Sequence, residues 1–396
     1  MGLRESPFHS RIAALCESWD WRNWSGYLAP SSYQLVPIME YYAIRQAAGL
    51  IDVSPLYKYH ITGDDAFRLV NKIVTRDVAK LAAGQIFYTP WCDSRGKTVD
   101  DGTLWRFSDG SFRLTAAEPN LKWLEDNALG MEVHVEDVSD DVAALALQGP
   151  SSRAILAAGA DGRVEKLKYF RFIDTRFDGI PVTISRTGYT GDLGYEIWTE
   201  RENAERLWDA LMRVGPKFGM TPAGLIALDI ARIEAGLILG GTDYVSSRRA
   251  VIPSQAYSPF ELGLDWTVTL EKGPFVGRRA LSRESRSGPA RRIVGLEVDW
   301  DVAETFYVER GLPPTPPARA SREKVPVSVG SRQIGWASSS CWSPTLKQYI
   351  ALATVASAFS ALGTVVDMEV TVEGERNKAP AEVVSRPFYE PERKKA

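Results

Sequence analysis

The chain has 396 residues, 44% of them hydrophobic and 24% charged, with 47 Lys and Arg against 50 Asp and Glu for a formal net charge of −3. That length can bury more than one core, so two or three domains are expected, and the near balance of charge gives no electrostatic ground for a nucleic-acid or membrane-surface partner. Cys16, Cys92 and Cys341 stand far apart without a C-x-x-C pair, which argues against a disulfide framework or a zinc site. The start of the chain lacks the apolar run of a secretory signal, and no stretch reaches the ~18 apolar residues of a membrane span. A cytoplasmic protein with reduced thiols is expected.

Residues 1–40 read as an N-terminal arm. Trp19, Trp21 and Trp24 cluster there, and packing of the arm onto the body is favoured over lining of a pocket entrance. Residues 59–64 read as a strand and turn, with Asp64 or Asp65 capping a helix on which Phe67, Val70 and Val74 recur at helical spacing. A strand follows around Tyr88. Residues 103–107 and 112–115, joined by Asp109-Gly110, form a hairpin by period and turn chemistry, with Asp100 and Asp101 at its entry.

Residues 119–127 suggest a helix, 132–136 and 142–148 suggest strands, and Pro150 or Ser151 opens a helix to 158. Thr199 and Glu202 have capping-box spacing for a helix carrying Leu207, Trp208 and Leu211, which Gly215-Pro216 ends. Strands, helices and hairpins alternate in a way that predicts an α+β fold, not a doubly wound sheet. Residues 282–292 turn charged and polar, marking a linker. Beyond them, strand-like runs at 293–298, 325–329, 333–336, 350–355 and 368–372 predict a small all-β domain, with 313–317 as a rigid proline-rich connection.

Nucleotide-loop and nucleophile-elbow motifs are absent, and three histidines, His9, His60 and His134, give no metal or triad spacing. The informative stretch is RTGYTGDLGYEIW at 186–198. Gly188, Gly191 and Gly194 permit sharp turns and close approach to a ligand, Tyr189 and Tyr195 offer ring faces, and Glu196 can accept two N–H donors side by side. In DSRGKTVDDG at 93–102, the adjacent acids Asp100 and Asp101 on a strand point to opposite faces, so only one can face a pocket.

Together with GLIALDIARIEAGL at 224–237, these segments resemble the folate-binding domain of the glycine cleavage T-protein (aminomethyltransferase) superfamily, which also includes tetrahydrofolate-dependent demethylases; the resemblance runs from about Tyr41 to Tyr389. It implies a three-lobed α+β arrangement: folate-binding lobes with ferredoxin-like βαβ units over 41–281, a linker at 282–292, and a C-terminal β-barrel over 293–389. It implies tetrahydrofolate as cofactor, Asp101 as the catalytic acid with Asp100 beside it, Glu196 on the pterin's paired N–H donors, Tyr88 and Tyr189 flanking the ring, and Arg386 reaching the folate tail.

Two departures bear on the reaction. Where the family reads Ala-Arg-Asp this chain reads Ala227-Leu-Asp229, so an arginine is missing, and Arg232 one turn on is its partial substitute. The segment GTDYVSSRR at 241–249 is closer to the family's demethylases, with Tyr244 as a proton donor for an ether oxygen and Arg248 and Arg249 as holders of a substrate carboxylate. The leading expectation is a methyltransferase that moves a methyl group from a small O-, S- or N-methylated metabolite to N5 of tetrahydrofolate. The alternative is the aminomethyltransferase itself, which needs a lipoyl carrier protein. A non-catalytic folate-binding protein is the third reading, and its Lys-Gly-Cys-Tyr-x-Gly-Gln-like motif is missing.

Overall fold

The computed structural model describes residues 2–160 and 162–396. Three sheets organise it. The first has five antiparallel strands in the spatial order Gln85–Cys92, Thr98–Arg106, Phe112–Ala116, Tyr57–Thr62 and His134–Asp137. The second has six, in the order Phe172–Phe177, Ile180–Ser185, Gly194–Glu200, Val142–Gln148, Ala48–Asp52 and Met220–Pro222, antiparallel apart from the last pair. The third is a closed barrel of Arg291–Val298, Gln348–Ala356, Arg332–Ser343, Val325–Val329, Val365–Val372 and Glu375–Val384. The α+β arrangement with a C-terminal barrel is what the chain adopts.

The central strand Val142–Gln148 is buried at every position, which is why it reads as an unbroken apolar run. Its two faces are unequal. Ala143, Leu145 and Leu147 pack with Leu156, Leu207, Trp208 and Leu211 from the helices Ser152–Gly159 and Ala204–Val214, whereas Ala144 and Ala146 face the other way. Small side chains on that second face leave room beside the sheet, and Ala146 lines a cavity there.

Several local expectations are corrected. Asp65 does precede the helix Ala66–Ile73, but its carboxylate accepts from the backbone N–H of Glu132 at 2.9 Å instead of capping the helix. On that helix Leu69, Val70 and Ile73 are buried and Phe67 is 40% exposed. Thr199 belongs to the strand Gly194–Glu200 and donates to the Pro181 carbonyl at 2.8 Å, so no capping box forms with Glu202. The expected linker 282–292 is instead largely the end of a helix, Arg278–Ser287. Its charged residues are good helix formers, and Leu281 anchors it against Cys92, Phe260 and Phe275. The helix Trp300–Val308 and the strand Glu375–Val384 went unforeseen; the strand's inward Ala379, Ala381 and Val383 are interleaved with charges that masked the alternation. The N-terminal segment packs onto the second sheet through Phe8, Ile12 and Tyr33, as expected, although Trp19 is 77% exposed and Trp24 lines the cavity.

The helix Leu225–Glu234 holds the three sheets together. All of its residues are buried, including Asp229, Arg232 and Glu234. Burying a charge is costly without an opposite charge and hydrogen bonds around it. Glu234 answers with a full set: it accepts from Arg45 Nη2 and Nε at 2.5 and 2.8 Å, from the Tyr41 hydroxyl at 2.5 Å, and from Ser343 Oγ of the barrel at 2.5 Å. Arg45 spends its remaining N–H groups on the carbonyls of Thr190 and Ala231. Replacing Glu234 with Gln leaves the Arg45 charge buried without its carboxylate, and urea unfolding should show a loss of about 3–5 kcal/mol. A loss below about 1 kcal/mol would show that the barrel and the helix are held by other means.

Candidate functional site

A cavity of ≈ 790 Å³ opens where the two α+β sheets, the N-terminal hairpin, the barrel's loops and the C-terminal segment meet. That is within the ~300–1,000 Å³ range of small-molecule sites. Tyr88, Asp101, Tyr189, Glu196 and Arg386 all line it. Five residues expected from separate segments therefore share one wall.

The acid pair divides as the strand pleat dictates. On Thr98–Arg106, Asp100 is 1% exposed and turned from the cavity, accepting from the N–H groups of Asp101 and Glu118 and from Asn120 Nδ2 at 2.9, 3.0 and 2.9 Å. Asp101 faces the cavity, and its two oxygens take hydroxyl donors: Oδ2 from Tyr88 at 2.8 Å and Oδ1 from Tyr244. Desolvation pushes the Asp101 carboxyl above the ordinary aspartate range, with the Tyr244 and Tyr88 hydroxyls opposing the shift. Desolvation also raises Asp100, and the neighbouring Asp101 raises it further. Burial keeps both tyrosines protonated, so they act as donors to the carboxylate.

The glycine-rich turn works differently from expectation. Gly188 and Gly194 do not primarily admit a ligand: a Cβ on either would lie 2.0 or 2.2 Å from Gln148 Oε1, so their bareness seats the Gln148 side chain. Gln148 then donates to the carbonyls of Thr187 and Tyr195 and accepts from Thr190, fixing the turn over the end of the central strand. Gly191 has φ +72° and abuts Ala235, which closes the turn against the segment after the buried helix. The turn thereby aims Glu196, whose Oε2 accepts from Thr187 Oγ1 at 2.7 Å. Among the described residues Glu196 Oε1 has no hydrogen-bond partner, and desolvation raises its carboxyl. Tyr189 donates to the Ile238 carbonyl, which leaves its ring along the cavity wall. Tyr195 is fully buried and takes no part.

Other expected residues lie elsewhere. Arg232 is wholly buried, with Nη1 at 2.7 Å from Asp243, Nη2 on Ser339 Oγ at 2.8 Å and Nε at 3.4 Å from Asp229; it joins the helix to the barrel and does not line the cavity. Tyr244 sits behind Asp101, 1% exposed, with its hydroxyl committed to that carboxylate, so it is a positioning residue and no acid for an ether oxygen. Arg248 and Arg249 are exposed on the outside, where Arg248 donates to the Pro119 carbonyl at 3.3 Å and Arg249 pairs with Glu118 at 2.6 Å; neither reaches the cavity. Arg386 does, hydrogen-bonded to the carbonyls of Gly236 and Leu262 at 3.3 and 3.4 Å.

Sequence reading missed Arg22, Asp229, Gln148, Trp266 and Arg322 on the same wall. Asp229 was in view as the end of the altered Ala-Leu-Asp triplet, and Trp24 was in view within the tryptophan cluster. Arg322 belongs to an aperiodic loop and carried no signal. Trp266 stacks with Tyr88 at 6.1 Å between ring centroids.

Comparison with known proteins gives concordant matches. A family model described as the GCVT N-terminal domain matches residues 11–272, and one described as the glycine cleavage T-protein C-terminal barrel domain matches residues 291–390. An aminomethyltransferase of Thermoanaerobacter sp. (strain X514) is 34% identical over 379 residues, 94% of each chain. A trimethylamine-oxide aldolase of Ruegeria pomeroyi is 36% identical over 403 residues, covering 98% of this chain and 47% of that protein. The crystal structure of the glycine cleavage system aminomethyltransferase T from Bartonella henselae superimposes with a TM-score of 0.82 at 28% identity, covering 98% of this chain and 99% of that one.

Because the Tyr88 and Tyr244 hydroxyls favour the ionised Asp101, Tyr88→Phe and Tyr244→Phe should each move the Asp101 titration to higher pH. Carboxyl-selective NMR titration of the three proteins measures this; an unchanged midpoint in both variants would remove the hydroxyls from the account.

Proposed function

We propose, from the premise that this chain belongs to the glycine cleavage T-protein family, that it is a tetrahydrofolate-dependent methyltransferase acting on a small methylated metabolite. Family membership makes it a one-carbon transferase that uses tetrahydrofolate. The finer assignment, methyl transfer to N5, is carried by one observation: Asp101 and Glu196 open onto one cavity, the first held by two tyrosine hydroxyls and the second with a carboxylate oxygen free.

The residues present suit a reduced pterin. A flat heterocycle with adjacent N–H donors satisfies Glu196 Oε1, and the rings of Tyr88 and Tyr189 line the same space. Arg386 offers remaining guanidinium N–H groups to a carboxylated tail. Bound tetrahydrofolate would supply N5 as the nucleophile, the bond from the methyl carbon to its leaving atom breaking with the electron pair on that atom.

The protein's own part is placement and proton management. Asp101 Oδ2 and Oδ1 take the proton released at the attacking nitrogen, and the raised carboxyl pKa makes Asp101 a stronger base than an exposed aspartate. Tyr88 and Tyr244 keep the carboxylate oriented and balance the cost of its burial. The apolar wall of Leu225, Leu228, Ile238 and Leu264 keeps water away from the reacting atoms. With Tyr244 committed to Asp101, no side chain is placed to protonate an ether oxygen. The donors favoured are therefore onium compounds, whose leaving atom departs neutral. The aminomethyltransferase reading has its own support in relatives such as that of Thermoanaerobacter, named for that activity.

Incubation with tetrahydrofolate and methylated sulfonium and ammonium compounds should yield 5-methyltetrahydrofolate by mass spectrometry. Ammonia release from an aminomethylated lipoyl carrier protein, with no methylated product from any donor, would select the other reading. Asp101→Asn should lower kcat about 10²–10⁴-fold, and Glu196→Gln should raise the KM for tetrahydrofolate about 10-fold or more. The required form of Asp101 is the carboxylate and its pKa is raised, so activity is lost as pH falls through that raised value. The acid limb of kcat/KM should accordingly stand above the ordinary aspartate range and move higher still in Tyr88→Phe. A limb that stays in place in Tyr88→Phe would assign the titration to another group.

A further inference from the structure

The substrate-carboxylate role expected for Arg248 and Arg249 has a different basis inside the cavity. Arg22, on the hairpin strand Trp21–Trp24, and Arg322, in the loop before the barrel strand Val325–Val329, both line it, and both turn to a single acid, Asp229. Arg322 Nη2 and Nε lie 2.6 and 2.9 Å from Asp229 Oδ2, and Arg22 Nη1 lies 3.6 Å from the same oxygen. Arg22 Nε is spent on Ser31 Oγ at 3.1 Å.

The surrounding charges do not balance. Arg232 has its own partner in Asp243 at 2.7 Å, and Arg319 has Asp20 at 3.0 Å, which leaves Asp229 shared by two cavity-lining guanidiniums. Four arginines thus meet three aspartates, an excess of one positive charge at the wall. Desolvation, and then the neighbouring Arg322, push the Arg22 pKa down, the response of a cation short of counter-charge. Trp24, two residues from Arg22 and so on the same face of its strand, lines the cavity beside them. The Tyr189 hydroxyl lies within electrostatic reach of both Asp101 and Asp229, so this cluster and the candidate base serve one space.

We propose that the methyl donor is a small zwitterion whose carboxylate is held by Arg22 and Arg322 and whose onium methyl groups lie against Trp24. This rests on the methyl-transfer reading above. Two forked guanidiniums match a carboxylate in geometry and charge, and an indole face attracts a methylated cation within about 6 Å of its centre. A protonated aminomethyl group would meet the same wall with like charge.

Calorimetric titration of the full-length protein with two matched pairs tests the site without turnover: glycine betaine against choline, and N,N-dimethylglycine against trimethylamine. In each pair the carboxylate member should bind at least about 10-fold more tightly, the preference shrinking as salt is raised. Arg22→Gln and Arg322→Gln should each erase the preference, and Arg322→Lys should restore part of it, while the tetrahydrofolate isotherm of every variant reports an intact fold. The proposal is overturned when neither carboxylate binds, when choline binds as tightly as glycine betaine, or when both Gln variants keep the preference. A zwitterion that binds through the arginines but yields no 5-methyltetrahydrofolate would instead sink the methyl-transfer reading and leave the anion site standing.

Discussion

Everything in this architecture turns on a helix that buries three ionised side chains. Leu225–Glu234 is apolar enough to sit at the centre of the molecule, yet Asp229, Arg232 and Glu234 are buried with it. Each charge must be met inside the protein, and each is met by a different element: Asp229 by Arg22 of the hairpin and Arg322 of the barrel loop, Arg232 by Asp243 and Ser339, Glu234 by Arg45 and Ser343. Apolar packing alone tolerates some sliding of one layer on another. A buried ion pair with directional hydrogen bonds does not, because a shift of an ångström strands a charge. The barrel is thereby locked to the α+β sheets, and the cavity between them keeps its shape.

The same logic, applied with weaker partners, produces reactivity. Where Glu234 is matched by a guanidinium and two hydroxyls, Asp101 has only hydroxyls, from Tyr88 and Tyr244, and no cation. A carboxylate fully neutralised by arginine is held charged and is a poor base. One buried with two hydroxyl donors is oriented but underpaid in electrostatics, so its affinity for a proton rises. Glu196 is similar: two hydroxyls from Thr187 and Ser185 face one oxygen and the other is left to the cavity. The contrast between matched and unmatched acids within one molecule separates framework from site.

Glycine placement shows how far tertiary context reshapes local motifs. In RTGYTGDLGYEIW the residue pattern announces a turn with a ligand-facing acid, and Glu196 is indeed on the cavity wall. The reason for two of the glycines is Gln148, nearly forty residues earlier, whose side chain occupies the space their Cβ atoms would need. Strand periodicity likewise foretold that Asp100 and Asp101 face opposite ways. It said nothing about Tyr88 and Tyr244 meeting on Asp101, which depends on two strands and a loop converging.

Local chemistry was enough to read the α+β class, the barrel's strands, the split of the acid pair and the candidate roles of Tyr88, Tyr189, Glu196 and Arg386, because these follow from pleat, turn propensity and side-chain type along short stretches. The linker at 282–292 and the capping box at Thr199 went wrong where a single buried leucine or a strand's continuation overrode composition. What folding alone decided was which charges face each other. Arg248 and Arg249 have the right chemistry for a carboxylate and lie outside, Arg232 is consumed by Asp243, and Arg22 and Arg322, 300 positions apart in the sequence, share Asp229 at the cavity. Charge pairing is a long-range, three-dimensional property: a guanidinium's identity is written in the chain, but whether it has a counter-ion left to seek is set by everything that packs around it.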